Sequence, residues 1–248
     1  MPHSNFFTKE NIEIYLKDFA NEYELLSKDK VPLKIILIGG AYVVLNYNFR
    51  TSTNDLDFSN LNNDVIESAI KKTAKKHGLF ENWLNNDFRK MAPNPDKLEE
   101  ISRPYKQISD LVSLHTTNPE YIIALKLKAL RSEKHDLSDI TGILMENREN
   151  GQEIEKKDIE KAINFLYDEN NTISEKAKKL LDSIYIKNNF KHDYLYFKRK
   201  EEAVRNTYKK IKKDNKISTA LLEHNDILRK ASAVIDEKLR EYEDEENN

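Results

Sequence analysis

Residues 35–58, IILIGGAYVVLNYNFRTSTNDLDF, constrain the fold more than any other stretch of this 248-residue chain. The β-branched apolar run Lys34–Ile38 stops at Gly39-Gly40 and reads as a buried strand. Ala41–Asn48 reads as a helix. Asp55–Ser59 reads as a second strand, whose alternation sends Asp55 and Asp57 to one face and Leu56 and Phe58 to the other. A glycine pair between strand and helix permits a tight turn and close approach of a ligand to backbone amides. The following helix N-terminus adds unpaired N–H groups and partial positive charge, a match for a triphosphate. Two carboxylates on one strand face repel each other unless they share protons or a cation, and a hard ion such as Mg²⁺ prefers such oxygen ligands. Each pair alone is equally at home in a plain turn or on a solvated edge strand.

The remaining pattern divides the chain. Residues 8–28 read as an amphipathic helix with Thr8 as its cap, and Asn63–His77 as a helix closed by Gly78. Residues 79–104, with Trp83, Pro93, Pro95 and Pro104, read as irregular. Asp110–His115 reads as a third strand. Thr117-Asn118-Pro119-Glu120 is a helix start, a Thr-x-x-Glu box with an early Pro, leading into Tyr121–Arg131. Beyond it only helical patterns occur, at 137–148, 156–168, 173–187 and 196–242, before an acidic end at 241–248. The expectation is an α+β chain. A mixed-sheet domain with helices occupies 1–116, and an all-helical domain with an acidic tail occupies 117–248.

Composition removes several chemistries. The chain has no cysteine, hence no disulfide, zinc–thiolate site or cysteine nucleophile. No Walker loop or Gly-x-Ser-x-Gly elbow occurs, and the six histidines lack metal-ligand spacing. Charge reaches the N-terminus within ten residues, and no run approaches a membrane span, so a cytoplasmic protein without a membrane partner is expected. With 41 basic against 43 acidic residues, only a local patch can attract a polyanion. Residues 187–216 are such a patch: eleven Lys or Arg against four Asp or Glu, interleaved with Phe190, Tyr194, Tyr196, Phe197 and Tyr208. That mixture suits RNA backbones and stacked bases, and also describes a solvated helix face over a few core aromatics.

In combination the two pairs become specific. Gly39-Gly40 followed by Arg50-Thr51-Ser52-Thr53-Asn54-Asp55-Leu56-Asp57 resembles the nucleotidyltransferase superfamily related to DNA polymerase β, most closely its AbiEii-like branch of toxin and antitoxin enzymes. That branch follows Gly-Gly and a helix with Arg-x-Thr-x-Asp-φ-Asp, φ being apolar, and Arg50 and Thr53 fall where the pattern expects them. The branch also places a Lys on a helix before a basic-Asp-x-x-Asp element, similar to Lys126 and to His135-Asp136-Leu137-Ser138-Asp139 here, with His in place of Arg or Lys. Trp83-Leu84-Asn85 resembles an element of an uncharacterised group of bacterial nucleotidyltransferases. Trp83 is expected to pack, and Asn85 either to hold a turn or to touch a ligand.

The resemblance implies a Mg²⁺-dependent nucleotidyltransferase, Mn²⁺ being an alternative ion, with a nucleoside triphosphate as substrate. Gly39, Gly40, Arg50 and Thr53 would bind the nucleotide. Asp55 and Asp57 would hold metal, and Lys126 and Asp136 would join them in catalysis. Such enzymes carry a third acid, for which Asp110 and Asp139 are the further candidates. The acceptor would be an RNA 3′ end or a protein hydroxyl in a toxin–antitoxin or phage-defence setting, with a cognate antitoxin as partner. The alternatives are transfer to a small molecule, as in antibiotic nucleotidyltransferases, and a non-catalytic nucleotide- or RNA-binding module.

Overall fold

A computed structural model describes residues 6–59, 63–86, 95–131 and 134–214, with side chains in the last helix described as far as Thr207. The fold is α+β: a mixed five-stranded sheet with helices, and a helical C-terminal part. Helix α1 (Lys9–Leu26) is followed by β1 (Leu33–Leu37), α2 (Gly39–Asn46), β2 (Leu56–Ser59) and α3 (Asp64–His77). Next come β3 (Leu84–Asn85), α4 (Pro95–Glu100), β4 (Arg103–Gln107), β5 (Val112–Thr116) and α5 (Pro119–Ala129). The later helices are α6 (Asp136–Glu149), α7 (Lys156–Leu166), α8 (Glu175–Lys187) and α9 (Phe190–Asp214). No helix among the described residues is long and apolar enough to cross a membrane.

The sheet order is β3-β2-β1-β5-β4. Strand β1 lies at its centre, parallel to β5 with Leu33 opposite Val112 and Ile35 opposite Leu114, and antiparallel to β2 with Leu37 opposite Phe58. Leu33, Ile35, Leu37, Leu56, Phe58, Leu84, Val112 and Leu114 are buried in one cluster with α1 and α3. Helix α1 contributes Ile12, Leu16, Phe19, Ala20 and Tyr23 at helical spacing, and α3 contributes Ile66, Ala69, Ile70 and Ala74. Ile36, on the opposite face of β1, is buried as well, as befits a central strand. Gly78 closes α3 as expected, at φ +63°, while Asn63, expected as the first helical residue, is its N-cap, with Oδ1 accepting from the Val65 and Ile66 amides.

Trp83 is a packing residue. It is fully buried, its indole N–H donates to the Ile70 carbonyl at 3.2 Å, and its ring stacks on Phe7 and meets the edge of Tyr15.

The described residues of 79–104, which are 79–86 and 95–104, hold more regular structure than the prolines suggest. Pro95 opens α4, at a first-turn position where a missing N–H costs nothing. Pro104 sits on β4 at the sheet edge, beside a shift in register between Pro104 and Lys106, where a strand tolerates a missing donor. Strand β3 has only two residues, defined by pairing with β2 rather than by its own propensity. Helix α9 begins six residues before the expected 196, and the expected stretch beyond Asp214 lies outside the described residues.

The chain forms two compact units. The first runs to Lys128 and resumes over Ile154–Ile173; the second comprises Ala129–Glu153 and the chain from Ser174. Within the first, Lys128 gathers the returning segment: its Nζ donates to the Asn171 carbonyl at 2.6 Å, Asn171 Oδ1 at 2.8 Å and the Thr172 carbonyl at 2.9 Å, and lies over the Tyr167 ring. Tyr121 meets the edge of Phe165, and α4 packs on α7. Within the second, α6 packs along α9, and Arg148 lies 3.9 Å from the centre of the Phe190 ring while binding Asn188.

Candidate active site

The glycine turn and the second strand are pressed together. Gly39 has φ +63°, and a Cβ there would overlap the Asp57 Oδ2 and stand 3.3 Å from the Asp57 Cβ. A Cβ on Gly40 would overlap the Thr53 Oγ1 and stand 2.9 Å from Arg50 Nη2. The glycines are therefore required twice: Gly39 for a left-handed backbone and for room against a carboxylate, Gly40 for room against a hydroxyl and a guanidinium. The Ile38 amide donates to the Asp57 carbonyl at 3.2 Å, continuing the β1–β2 ladder up to the turn.

The intervening loop is tied down from several sides. Arg50 Nε donates to the Ser52 carbonyl at 3.0 Å, and Nη2 to Thr53 Oγ1 at 3.3 Å. Thr53 is buried and exchanges two backbone hydrogen bonds with Phe7, at 2.7 and 2.9 Å. The chain before α1 thus braces the loop that delivers the aspartates. Gly39, Gly40, Arg50, Thr53 and Asp57 form one contiguous set.

Asp57 lies on β2 between Leu56 and Phe58, which point into the core, so its carboxylate faces the other way. Asp55 precedes the strand in a bend, and both aspartates are half-buried. A carboxylate lying against a left-handed glycine, with a second two residues before it, is an all-oxygen donor set suited to a hard cation. Among the described residues no three His, Asp or Glu side chains gather as a metal site. These residues fit an ion that draws its other ligands from substrate and water, as Mg²⁺ does.

Asn85 is a neighbour that the sequence left undecided. Strand β3 runs parallel to β2, with Leu56 opposite Leu84 and Asp57 opposite Asn85. The Leu56 amide donates to the Trp83 carbonyl at 2.9 Å, which fixes this register. The signal in the sequence was the sole tryptophan, two residues before Asn85, since a buried anchor of that size sets the register of its neighbours along the chain.

Asp110 is exposed, in the turn between β4 and β5 whose Leu111 amide binds Glu24 Oε1 at 2.9 Å. Because β5 runs parallel to β1 and Leu33 pairs with Val112, Asp110 sits at the entry end of β1. Gly39 follows the exit end, about six residues beyond Leu33 or roughly 20 Å away. That geometry excludes Asp110 from the carboxylate pair.

Lys126 is on α5 in the first unit, 6% exposed, among Ile122, Ile123, Ala124, Leu125 and Leu127, which are all buried.

Asp136 and Asp139 belong to the second unit, and both are buried. Arg131 clamps Asp136, Nε to Oδ2 at 2.9 Å and Nη2 to Oδ1 at 3.1 Å, and the Arg131 amide adds a third bond at 3.0 Å. At the same helix start Glu201, from α9, accepts from the Leu137 amide at 2.7 Å and from the Ser138 amide and hydroxyl. Burial pushes the Glu201 carboxyl up to about 8, against the pull of these donors, and Asp139 and Asp136 add to the rise. Sequence reasoning placed Glu201 in the basic segment and missed this role. Asp193 is buried too, so α9 turns two of its acids inward.

Neither the curated proteins nor the solved structures give a match to this chain. A family model described as a nucleotidyltransferase of unknown function (DUF6036) matches residues 15–179, from within α1 to within α8. That span is more than half of the chain and holds the glycine turn, both aspartates and Asn85, and the chain belongs to this nucleotidyltransferase family.

Proposed function

We propose that this protein moves a nucleoside monophosphate from a nucleoside triphosphate to an acceptor hydroxyl, with Mg²⁺ held by Asp55 and Asp57. The observation that carries the reading is the contact of the Gly39-Gly40 turn with Asp57 on one side and with Thr53 and Arg50 on the other. It joins an anion-binding helix start to a cation-binding carboxylate within one contact distance, the requirement of a metal-chelated triphosphate.

Each residue has a role in that reading. The amides at the start of α2 receive phosphate oxygens. Arg50 adds positive charge beside Gly40, and its bonds to Ser52 and Thr53 fix the guanidinium there. Lys126 is assigned to phosphate charge on the strength of the resemblance. A divalent ion at the aspartates would draw charge from the phosphate oxygens and the attacking oxygen. The acceptor hydroxyl releases its proton to solvent water, its oxygen bonds to the α-phosphorus, the bond from that phosphorus to the oxygen bridging to the β-phosphate breaks, and pyrophosphate leaves.

For the acceptor we favour RNA or a protein hydroxyl, in the toxin–antitoxin or phage-defence setting of the AbiEii-like branch. One observation supports RNA. With Asp193 and Glu201 turned inward, the described part of α9 leaves Lys191 and Arg199 exposed, with Glu202 as the exposed acid near them. The test incubates the protein with labelled triphosphates, Mg²⁺ and either total RNA or a panel of aminoglycoside-type drugs. Label on RNA supports the proposal, and label on a drug moves the acceptor to the small-molecule class. Asp57→Ala is expected to abolish transfer while the thermal melt stays cooperative. Transfer that survives this change refutes the site.

A further inference from the structure

We infer that Asn85 is a third member of the cation–triphosphate site, contributing its carboxamide oxygen as a neutral ligand beside Asp57. This rests on the reading of Asp55 and Asp57 given above.

Register brings the two side chains together. In a parallel pair, residues opposite one another project to the same sheet face, on strands about 4.8 Å apart. Asp57 and Asn85 are such a pair. Leu56 and Leu84, the preceding pair, both enter the core, so Asp57 and Asn85 both turn to the other face. A cation with oxygen ligands at about 2.1 Å holds two of them roughly 3 Å apart, within reach of side chains at this strand spacing.

The placement of Asn85 is also rigid, although β3 has two residues. Its register is locked by the Leu56 amide on the Trp83 carbonyl, by Leu84 in the core and by the indole bond of Trp83 to Ile70. The carboxamide has a fixed sense. Its Nδ2 donates to the Asn82 carbonyl at 3.2 Å, and only the nitrogen end can face a carbonyl. Oδ1 is therefore the atom it can offer to a cation.

The chemistry explains why an amide suits this position. A third carboxylate would add repulsion to a site that already carries Asp55 and Asp57. An amide oxygen supplies a ligand without charge, so the ion is held by two negative charges rather than three. The consequence is a cation that binds loosely alone and firmly with its triphosphate, whose oxygens complete the shell.

The test is Mn²⁺ binding by the full chain, followed by the electron paramagnetic resonance of the free ion, without nucleotide and with a non-hydrolysable triphosphate. Asn85→Ala is expected to weaken Mn²⁺ binding about tenfold. Asn85→Asp, nearly isosteric, is expected to tighten it by about tenfold through the added charge. Asp57→Asn serves as the control, and the fluorescence of Trp83 reports that each variant is folded. Folded Asn85 variants that bind as wild type while Asp57→Asn loses the ion overturn the role of Asn85 and leave the aspartate site standing. Unchanged binding in Asp57→Asn overturns the aspartate site itself, and the role of Asn85 with it.

Discussion

The contact between Gly39 and Asp57 can be tested without any assay of activity, through stability alone. Gly39→Ala places a side chain at φ +63°, a region that costs an L-residue about 1–2 kcal/mol. It also drives a methyl group into the Asp57 carboxylate, and such overpacking costs a further ~1–3 kcal/mol. The single substitution should therefore lose about 2–5 kcal/mol. In an Asp57→Ala background the carboxylate is gone, and the cost of Gly39→Ala should fall to the backbone part, about 1–2 kcal/mol. A double-mutant cycle by urea denaturation isolates the difference, a coupling of ~1–3 kcal/mol. Equal costs in both backgrounds would refute the argument, because the glycine would then be needed for backbone conformation alone and the carboxylate would not lie against it.

Four other outcomes are expected. Trp83→Phe should destabilise the protein by about 1–3 kcal/mol, since it removes the indole bond to the Ile70 carbonyl and leaves unfilled space in a fully buried position; denaturation followed by circular dichroism measures this. Glu201 has a folded pKa of about 8, above its ordinary 4.5. Its contribution is therefore complete at low pH and is lost as pH rises toward 8, a change on the order of a few kcal/mol. Glu201→Gln should flatten that slope in melts taken between pH 5 and 9, and an unaltered slope would place the titration elsewhere. Lys128→Met removes three charge-assisted bonds and should release residues 154–173, read as faster amide exchange in that segment. Neutralising Lys209, Lys210, Lys212 and Lys213 should flatten the salt dependence of RNA binding, and an unchanged slope would leave α9 as a solvated face.

The legible parts of the sequence were those whose cause is local. Gly39-Gly40 and Asp57 announce themselves because turn, helix and strand come within twenty residues and each carries its own periodicity. The C-cap of α3 was readable for the same reason, since Gly78 acts on the last turn beside it. Strand β3 was not, because two residues ending in Asn have no strand pattern and exist as a strand only through β2. Strand β4 was hidden by Pro104, which signals irregularity unless the strand is known to lie at an edge. The partnership of Asp57 and Asn85 is a fact of register, and register between non-consecutive segments leaves no trace in local spacing. Asp110 failed for the converse reason: a strand was foreseen, but its direction relative to β1, which decides which end faces Gly39, was not.

The first unit closes only when the chain comes back to it. Residues 154–173 belong with the sheet, yet they are synthesised after the whole of α6. A ribosome that has made the sheet and α5 has not supplied the layer that Phe165, Tyr167 and Asn171 add, and Lys128 has not met its acceptors. Completion of this unit is thus timed by the production of an element of its neighbour. A fragment cut at residue 130 or 150, the natural choice when only the glycine turn and the aspartates are in view, would carry every proposed metal ligand. It would still expose the surface that α7 covers, and the shortest fragment expected to behave as a folded nucleotide-binding unit ends no earlier than Ile173.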